Sequence, residues 1–354
     1  MMAFPPPRPD MQPRLAIVVD TEEEFDWGRP FGRGNQSVGS IPAQERAHAI
    51  YDRLGVVPTY VVGYPVVKDP VAARFFGDLK ATGRAEIGAH LHPWVTPPHE
   101  EEVTAANSYG CNLPPELERA KIVILTDAIS DALGERPTVF KAGRHGFGDN
   151  TKRVIADLGY RVDCSYVPYT SFASDGGPSF YSEPDQPFWL DRDRRLLEIP
   201  VTTAYYGSAA GVGERVQPLF DNALAEKLHI PGMLARSGLI TRTRLTPEGV
   251  SADEQCRLLD ALVARGLTTF TMVYHSPSLA PGHTPYVRTE EDLERFLATI
   301  EAVLCYFRER LGGRYTTLSQ IYADQAATLA VGSSAARAAG AYLSRAIEPG
   351  SMTN

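Results

Sequence analysis

The stretch that decides the fold is LAIVVDTEEE, residues 15–24. Its apolar half, 15–19, is rich in β-branched residues and predicts a β-strand. An acidic run follows directly, where that strand would end. In a parallel barrel the chemistry lies at the strand ends, so this junction is the first candidate for a functional site.

Short β-branched runs and amphipathic stretches alternate along the rest of the chain. The pattern predicts seven strands, at 15–19, 58–62, 86–91, 138–141, 161–165, 196–201 and 269–274. It also predicts six helices, with a glycine directly after each of the first four, at 43–54, 70–82, 114–133, 150–158, 253–265 and 289–310. Such alternation implies parallel strands joined by crossovers, and hence an α/β fold with a parallel barrel.

Segment composition predicts one large domain. We expect residues 1–14, which are rich in proline, to be flexible, 15–325 to form the barrel, and 326–354 to be a flexible or helical tail. Two long segments, 166–196 and 205–247, are expected to be insertions at the rim of the barrel.

Composition excludes several classes of protein. The net charge is −8 and no basic block occurs, so nucleic acid is not an expected partner. No run of about 18 apolar residues predicts a membrane span, and the first residues lack the apolar core of a signal peptide. Cys111, Cys164, Cys256 and Cys305 form no C-x-x-C pair, which favours reduced, mostly buried thiols. We therefore expect a cytoplasmic protein without a membrane span.

Polar residues with ligand chemistry follow two of the predicted strands. Asp20 and Glu22 follow the first strand two residues apart, and His90 and His92 have the same spacing at the end of the third. Alone, the acids also fit a helix N-terminus and the histidines an ordinary surface loop. Together, a carboxylate and two imidazoles facing one barrel mouth favour zinc or a related divalent metal.

Two further polar residues follow later strands. Arg144 comes after the fourth strand and could fix a carboxylate, although a plain surface arginine is the simpler alternative. His275 ends the last strand and suits a general acid, or a histidine that only hydrogen-bonds the backbone. The G-x-S-x-G elbow, the Walker lysine motif and a G-x-G-x-x-G after the first strand are all missing from the sequence, which argues against the corresponding chemistries.

These motifs occur in the order found in the polysaccharide deacetylases (NodB-homology, carbohydrate esterase family four), which the chain resembles over about 15–322. The runs His92-Pro93-Trp94 and 275–279 (HSPSL) are most similar to the WalW-like branch, which is linked to lipopolysaccharide biosynthesis. The resemblance implies a distorted, incomplete (β/α)7 barrel. It also implies deacetylation of an N- or O-acetylated sugar of an envelope polysaccharide or its precursor.

The resemblance also implies roles for the residues. Asp20 would be the catalytic base, Arg144 would orient it, and His275 would protonate the leaving group. The metal ligands would be Glu22, His90 and His92, which implies a divalent metal: zinc first, with cobalt, nickel or iron as alternatives.

The chain departs from the family pattern at two of these positions. Glu22 stands where Asp is usual and is one methylene longer, so that Asp20 is an alternative ligand. The two histidines are two residues apart rather than four, and Trp94 occupies the position four after His90.

Two other functions remain open on the sequence. One is an allantoinase-like hydrolysis of a cyclic amide or imide. The other is a catalytically inactive glycan-binding module, in which four aromatic residues would stack on sugar rings: Phe25, Trp27, Trp94 and Trp189.

Overall fold

A computed structural model of the chain describes residues 12–207 and 240–329. The predicted flexible segment 1–14 and the predicted tail 326–354 therefore lie mostly outside the described residues, as does much of the predicted insertion 205–247.

The described residues form strands and helices in nearly the predicted order. The strands are β1 (Arg14–Thr21), β2 (Thr59–Val62), β3 (Glu86–Leu91), β4 (Val139–Ala142), β5 (Val162–Asp163), β6 (Phe188–Trp189), β7 (Leu197–Glu198), β8 (Thr203–Tyr206), β9 (Thr241–Arg244), β10 (Thr269–His275) and β11 (Arg314–Tyr315). The α-helices are α1 (Glu45–Leu54), α2 (Tyr64–Lys68), α3 (Pro70–Ala81), α4 (Pro115–Leu133), α5 (Asp149–Asp157), α6 (Ala252–Ala264), α7 (Glu290–Glu309) and α8 (318–329).

Seven parallel strands form the main sheet in the order β10-β1-β2-β3-β4-β5-β7, and they are the seven that the sequence predicts. β6 adds antiparallel to β7, and β11 pairs with β1. The sheet curls into an open half-barrel, so the prediction of an incomplete (β/α) barrel is confirmed. β1 is buried along its whole length and pairs with β10, with Asp20 opposite His275.

A small two-stranded antiparallel sheet, formed by β8 and β9, lies beside the outer edge of β10. The Thr202 N–H donates to the Thr271 carbonyl at 3.3 Å, and the Val273 N–H donates to the Leu245 carbonyl at 3.1 Å. This small sheet thus partly fills the gap between β7 and β10. It was not predicted, because the sequence around it was assigned to a rim insertion.

Successive side chains of β1 pack into two different core clusters. Leu15, Ile17 and Val19 pack in the larger core cluster, whereas Ala16 and Val18 belong to a second, smaller cluster of mostly small apolar residues. Opposite directions for successive side chains are expected in a strand.

Two findings concern features that composition addresses. Among the described residues no helix is both long and apolar enough to cross a lipid bilayer. The four cysteines are free thiols, but only Cys164 is buried, so the expectation of mostly buried thiols is wrong.

Candidate active site

The carboxyl ends of the parallel strands surround a cavity of about 310 Å³. The six residues predicted as site residues all line it: Asp20, Glu22, His90, His92, Arg144 and His275. They converge because parallel strands end on the same side of a sheet. Their roles stay predictions.

Glu22, His90 and His92 form a buried cluster in which one ligand atom of each lies within 4.8 Å of the others. Oε2 of Glu22 is 3.6 Å from Nε2 of His90 and 3.4 Å from Nε2 of His92, beyond the usual length of a hydrogen bond. The second carboxylate oxygen, Oε1, is buried without a hydrogen-bond partner among the described residues. Unpaired buried polar atoms of this kind suit the coordination of a divalent cation.

The two imidazoles are held from behind by hydrogen bonds at Nδ1. Nδ1 of His90 donates to the Lys141 carbonyl at 3.2 Å, and Nδ1 of His92 donates to Oε1 of Glu23 at 2.9 Å. Both Nε2 atoms therefore face Glu22. Burial lowers the pKa of His90; burial also opposes protonation of His92, but Glu23 raises the pKa of that ring. A carboxylate behind a ligating histidine is the usual support of a metal site.

His92 is also confined by packing. Trp94 stacks on it with ring centroids 4.2 Å apart and an interplanar angle of 25°. Directly after β4, a Cβ at Gly143 would lie only 2.3 Å from Cδ2 of His92. Glycine at that position therefore permits the observed position of the ring.

Asp20 is held by Lys141 rather than by Arg144. Nζ of Lys141, a residue of β4, lies 2.6 Å from both carboxylate oxygens of Asp20, and both side chains are buried. Burial alone would raise the pKa of Asp20, but the positive charge of Lys141 outweighs burial and holds the pKa far below its ordinary value. Asp20 is outside the three-residue cluster, so the geometry favours Glu22 over Asp20 as the first ligand.

The predicted contact between Arg144 and Asp20 is wrong. Arg144 forms an ion pair with Asp175 and lies over the Tyr109 ring, 4.3 Å from its centroid. The reason is local: Arg144 has φ 52°, a left-handed conformation that turns its side chain out of the direction of β4. It contacts the wall of the cavity instead.

His275 lies between two carboxylates. Nδ1 donates to Oε2 of Glu248 at 2.7 Å, and Nε2 is 3.9 Å from Oδ2 of Asp20. Burial would lower the pKa of His275, but the neighbouring carboxylates, Glu248 foremost, raise it to about 9. The imidazole is therefore a proton donor at neutral pH. The side chain of Glu248, and not the backbone alone, holds the ring in place.

Sequence reasoning missed three residues that support the site. Lys141 carried a signal, because a lysine inside an apolar strand needs a buried partner. Glu23 was noticed only as part of the acidic run. Glu248 follows β9 after a long segment, and no sequence pattern ties it to His275.

Aromatic rings form much of the cavity wall. Three of the four residues predicted to stack on sugar rings line the cavity: Phe25, Trp27 and Trp94. Trp27 is 37% exposed, and its ring meets His275 edge-on at 5.1 Å. Trp189 packs on Tyr322 instead and does not line the cavity.

Comparisons with known proteins give similarity at the level of structure. No family model matches the sequence, and no curated protein matches it. A candidate polysaccharide deacetylase from Mycobacterium smegmatis superposes with a TM-score of 0.50 at 18% identity, over 93% of this chain and 96% of that one. The PuuE allantoinase superposes with a TM-score of 0.50 at 16% identity, over 92% and 95%. At these identities the similarity concerns the fold.

Proposed function

We propose that this chain, which has the NodB-homology fold of the polysaccharide deacetylases, is a metal-dependent hydrolase that removes acetyl groups from a carbohydrate. The observation that carries the proposal is the convergence of Glu22, His90 and His92 beside Asp20 and His275. A cation site, a base and an acid at one cavity are the parts that amide or ester hydrolysis requires.

The donor set of two imidazole nitrogens and one carboxylate oxygen suits zinc, which we propose as the metal, and also cobalt, nickel or iron. The unpartnered Oε1 of Glu22 and the two inward-facing Nε2 atoms support a cation at this position. When bound, the metal would supply Lewis acidity to the acyl carbonyl.

The acid–base steps belong to Asp20 and His275. Asp20 accepts a proton from the attacking water while the water oxygen forms its bond to the acyl carbon. Lys141 keeps that carboxylate ionised. His275 gives its Nε2 proton to the leaving nitrogen or oxygen as the bond to the acyl carbon breaks, and Glu248 keeps it protonated beforehand. Arg144 contacts Asp175 and the Tyr109 ring in the cavity wall and takes no part in these two steps.

The substrate we propose is an N- or O-acetylated sugar of an envelope polysaccharide or its precursor. The exposed face of Trp27 supports a sugar, because aromatic rings combine apolar area with a fixed geometry. The WalW-like runs support the narrower proposal of a role in lipopolysaccharide biosynthesis, and a cytoplasmic location stays a prediction.

A second candidate is hydrolysis of a cyclic amide. The similarity to the PuuE allantoinase has the same TM-score as that to the candidate deacetylase, 0.50, and favours it equally at the level of the fold. A binding module without turnover is supported only by the altered spacing of the two histidines.

Metal content and acetate release separate these functions. We expect one metal per chain and acetate release from N-acetylglucosamine oligomers. Ring opening of allantoin without acetate release would support the second candidate, and metal-free protein without turnover would support the binding module. The double variant His90→Ala/His92→Ala should lose the metal, whereas His99→Ala, which changes an exposed histidine, should keep it. Full metal retention by the double variant would contradict the ligand assignment.

Asp20→Asn distinguishes a base from a ligand. We expect this variant to keep its metal and lose turnover, since a base needs reach to the reacting water but no bond to the metal. Loss of the metal together with turnover would make Asp20 a ligand.

A further inference from the structure

His145 lines the cavity at the end of β4 and has no role in the proposed steps. It follows Arg144, and both have left-handed backbone conformations, with φ 60° and 52°. Two such non-glycine residues in succession are rare, and strain of this kind persists where the surrounding structure imposes it. The Gly146 N–H donates to the Gly143 carbonyl at 2.9 Å, and the Phe147 N–H donates to the carbonyl of His145 itself at 2.8 Å.

The imidazole ring of His145 is fixed on two sides. Phe172 stacks on it with centroids 5.2 Å apart and an interplanar angle of 20°. Nδ1 lies 3.0 Å from the backbone carbonyl of Ser165. A carbonyl oxygen only accepts, so Nδ1 carries the hydrogen, and the lone pair of the neutral ring is at Nε2.

The ring stays neutral in its surroundings. Burial, and then the positive charges of Lys141 and Arg244, lower the pKa of His145 well below the ordinary value. Within residues 12–207 and 240–329 its Nε2 makes no hydrogen bond. The cavity therefore contains a hydrogen-bond acceptor that is fixed in direction, and the lowered pKa of His145 favours its neutral, accepting form.

The side-chain acceptors that the proposed steps use have other roles. Both oxygens of Asp20 accept from Lys141. The carboxylate of Glu22 and the paired histidines belong to the proposed cation site, and His275 acts as a donor. His145 therefore offers a substrate an acceptor that none of the proposed steps uses.

We propose that Nε2 of His145 accepts a hydrogen bond from a donor beside the acyl group of the substrate, either the acetamido N–H or a neighbouring hydroxyl. The proposal rests on the proposed function and adds a specificity-determining residue to it. It makes the site select substrates that carry such a donor, because a bound analogue without the donor would cover this half-buried acceptor and leave it unpaired.

Two variants test the proposal. His145→Gln keeps an acceptor near the position of Nε2, and His145→Phe keeps a ring that stacks on Phe172 but removes the acceptor. The probe is the N-acetylglucosamine trisaccharide, and calorimetry measures its Kd for the metal-loaded protein. We expect His145→Phe to raise Kd roughly tenfold and His145→Gln to stay within about threefold of the parent. Thermal unfolding of each variant checks that the fold is kept.

Equal weakening by both variants, no weakening by His145→Phe, or no binding of the trisaccharide by the parent would overturn the proposal. A 2-O-acetyl counterpart, which lacks the N–H and keeps the hydroxyls, separates the two donors. A loss for the amide alone identifies the N–H, and equal losses identify a hydroxyl. Acetate release is scored separately: a parent that binds through His145 but releases no acetate contradicts deacetylation and supports His145 as a recognition residue.

Discussion

Lys141→Met tests the electrostatic centre of the site. The variant removes the ammonium group that lies 2.6 Å from both oxygens of Asp20, in a pair whose side chains are 0% and 8% exposed. Leaving one partner of a buried pair without its counterion costs about 3–5 kcal/mol of unfolding free energy. This is a large share of the roughly 5–15 kcal/mol that stabilises an ordinary domain.

The loss should depend on pH. Because Lys141 holds the folded-state pKa of Asp20 below its unfolded value, the pair stabilises the fold above about pH 4 and less as the pH falls further. Denaturant unfolding of metal-stripped protein at pH 7 and at pH 3–4 measures the difference. The gap between parent and variant should be largest at pH 7 and should narrow in acid.

A control variant and a double variant decide the interpretation. Lys152→Met removes an ion pair with Asp149, whose side chains are 34% and 91% exposed, and should cost less than about 1 kcal/mol. The double variant Lys141→Met/Asp20→Asn should cost less than the sum of its parts, because it leaves no buried charge unpaired. A cost for Lys141→Met as small as that of the control, or strict additivity in the double variant, would refute the reasoning.

Two other substitutions have defined outcomes. Gly143→Ala places a methyl group against both the His92 ring and the Leu91 carbonyl and should lower metal affinity roughly 10- to 100-fold in a metal titration, whereas Gly34→Ala, with no neighbour within 4 Å, should leave it unchanged; equal affinities would mean that the strand end and the ring both shift without disturbing the ligands. Glu248→Gln removes the main charge that raises the pKa of His275 to about 9, so the loss of kcat/KM at high pH should begin at a lower pH; an unchanged pH profile would rule out His275 as the general acid.

The main sheet was predictable from hydrophobic patterning. The third strand has the predicted bounds, 86–91, and the last strand lies beside the first, so Asp20 faces His275. Strand spacing also placed both histidines beside Glu22, since alternate residues of a strand share a face.

The counterion of Asp20 could not be predicted in the same way. Arg144 is the first residue after β4 able to reach inward in an extended chain, but its positive φ sends it to Asp175. Lys141, within the strand, takes its place. The contact of Glu248 with His275 depends on the path of the chain after β9, which local patterning does not encode.

The position of β1 in the middle of the sheet has a consequence for how the chain matures. β1, β2 and β3 are neighbours in sequence, so the three proposed ligands are complete within the first 92 residues, but Arg14 and Thr269 are 255 residues apart. At about 5–20 residues per second, the ribosome needs on the order of ten to fifty seconds to supply the partner for the second edge of β1. An unfinished chain therefore already contains the proposed ligands but not His275, the proposed acid. The unpaired edge of β1 needs protection from pairing with strands of other chains until β10 has been synthesised.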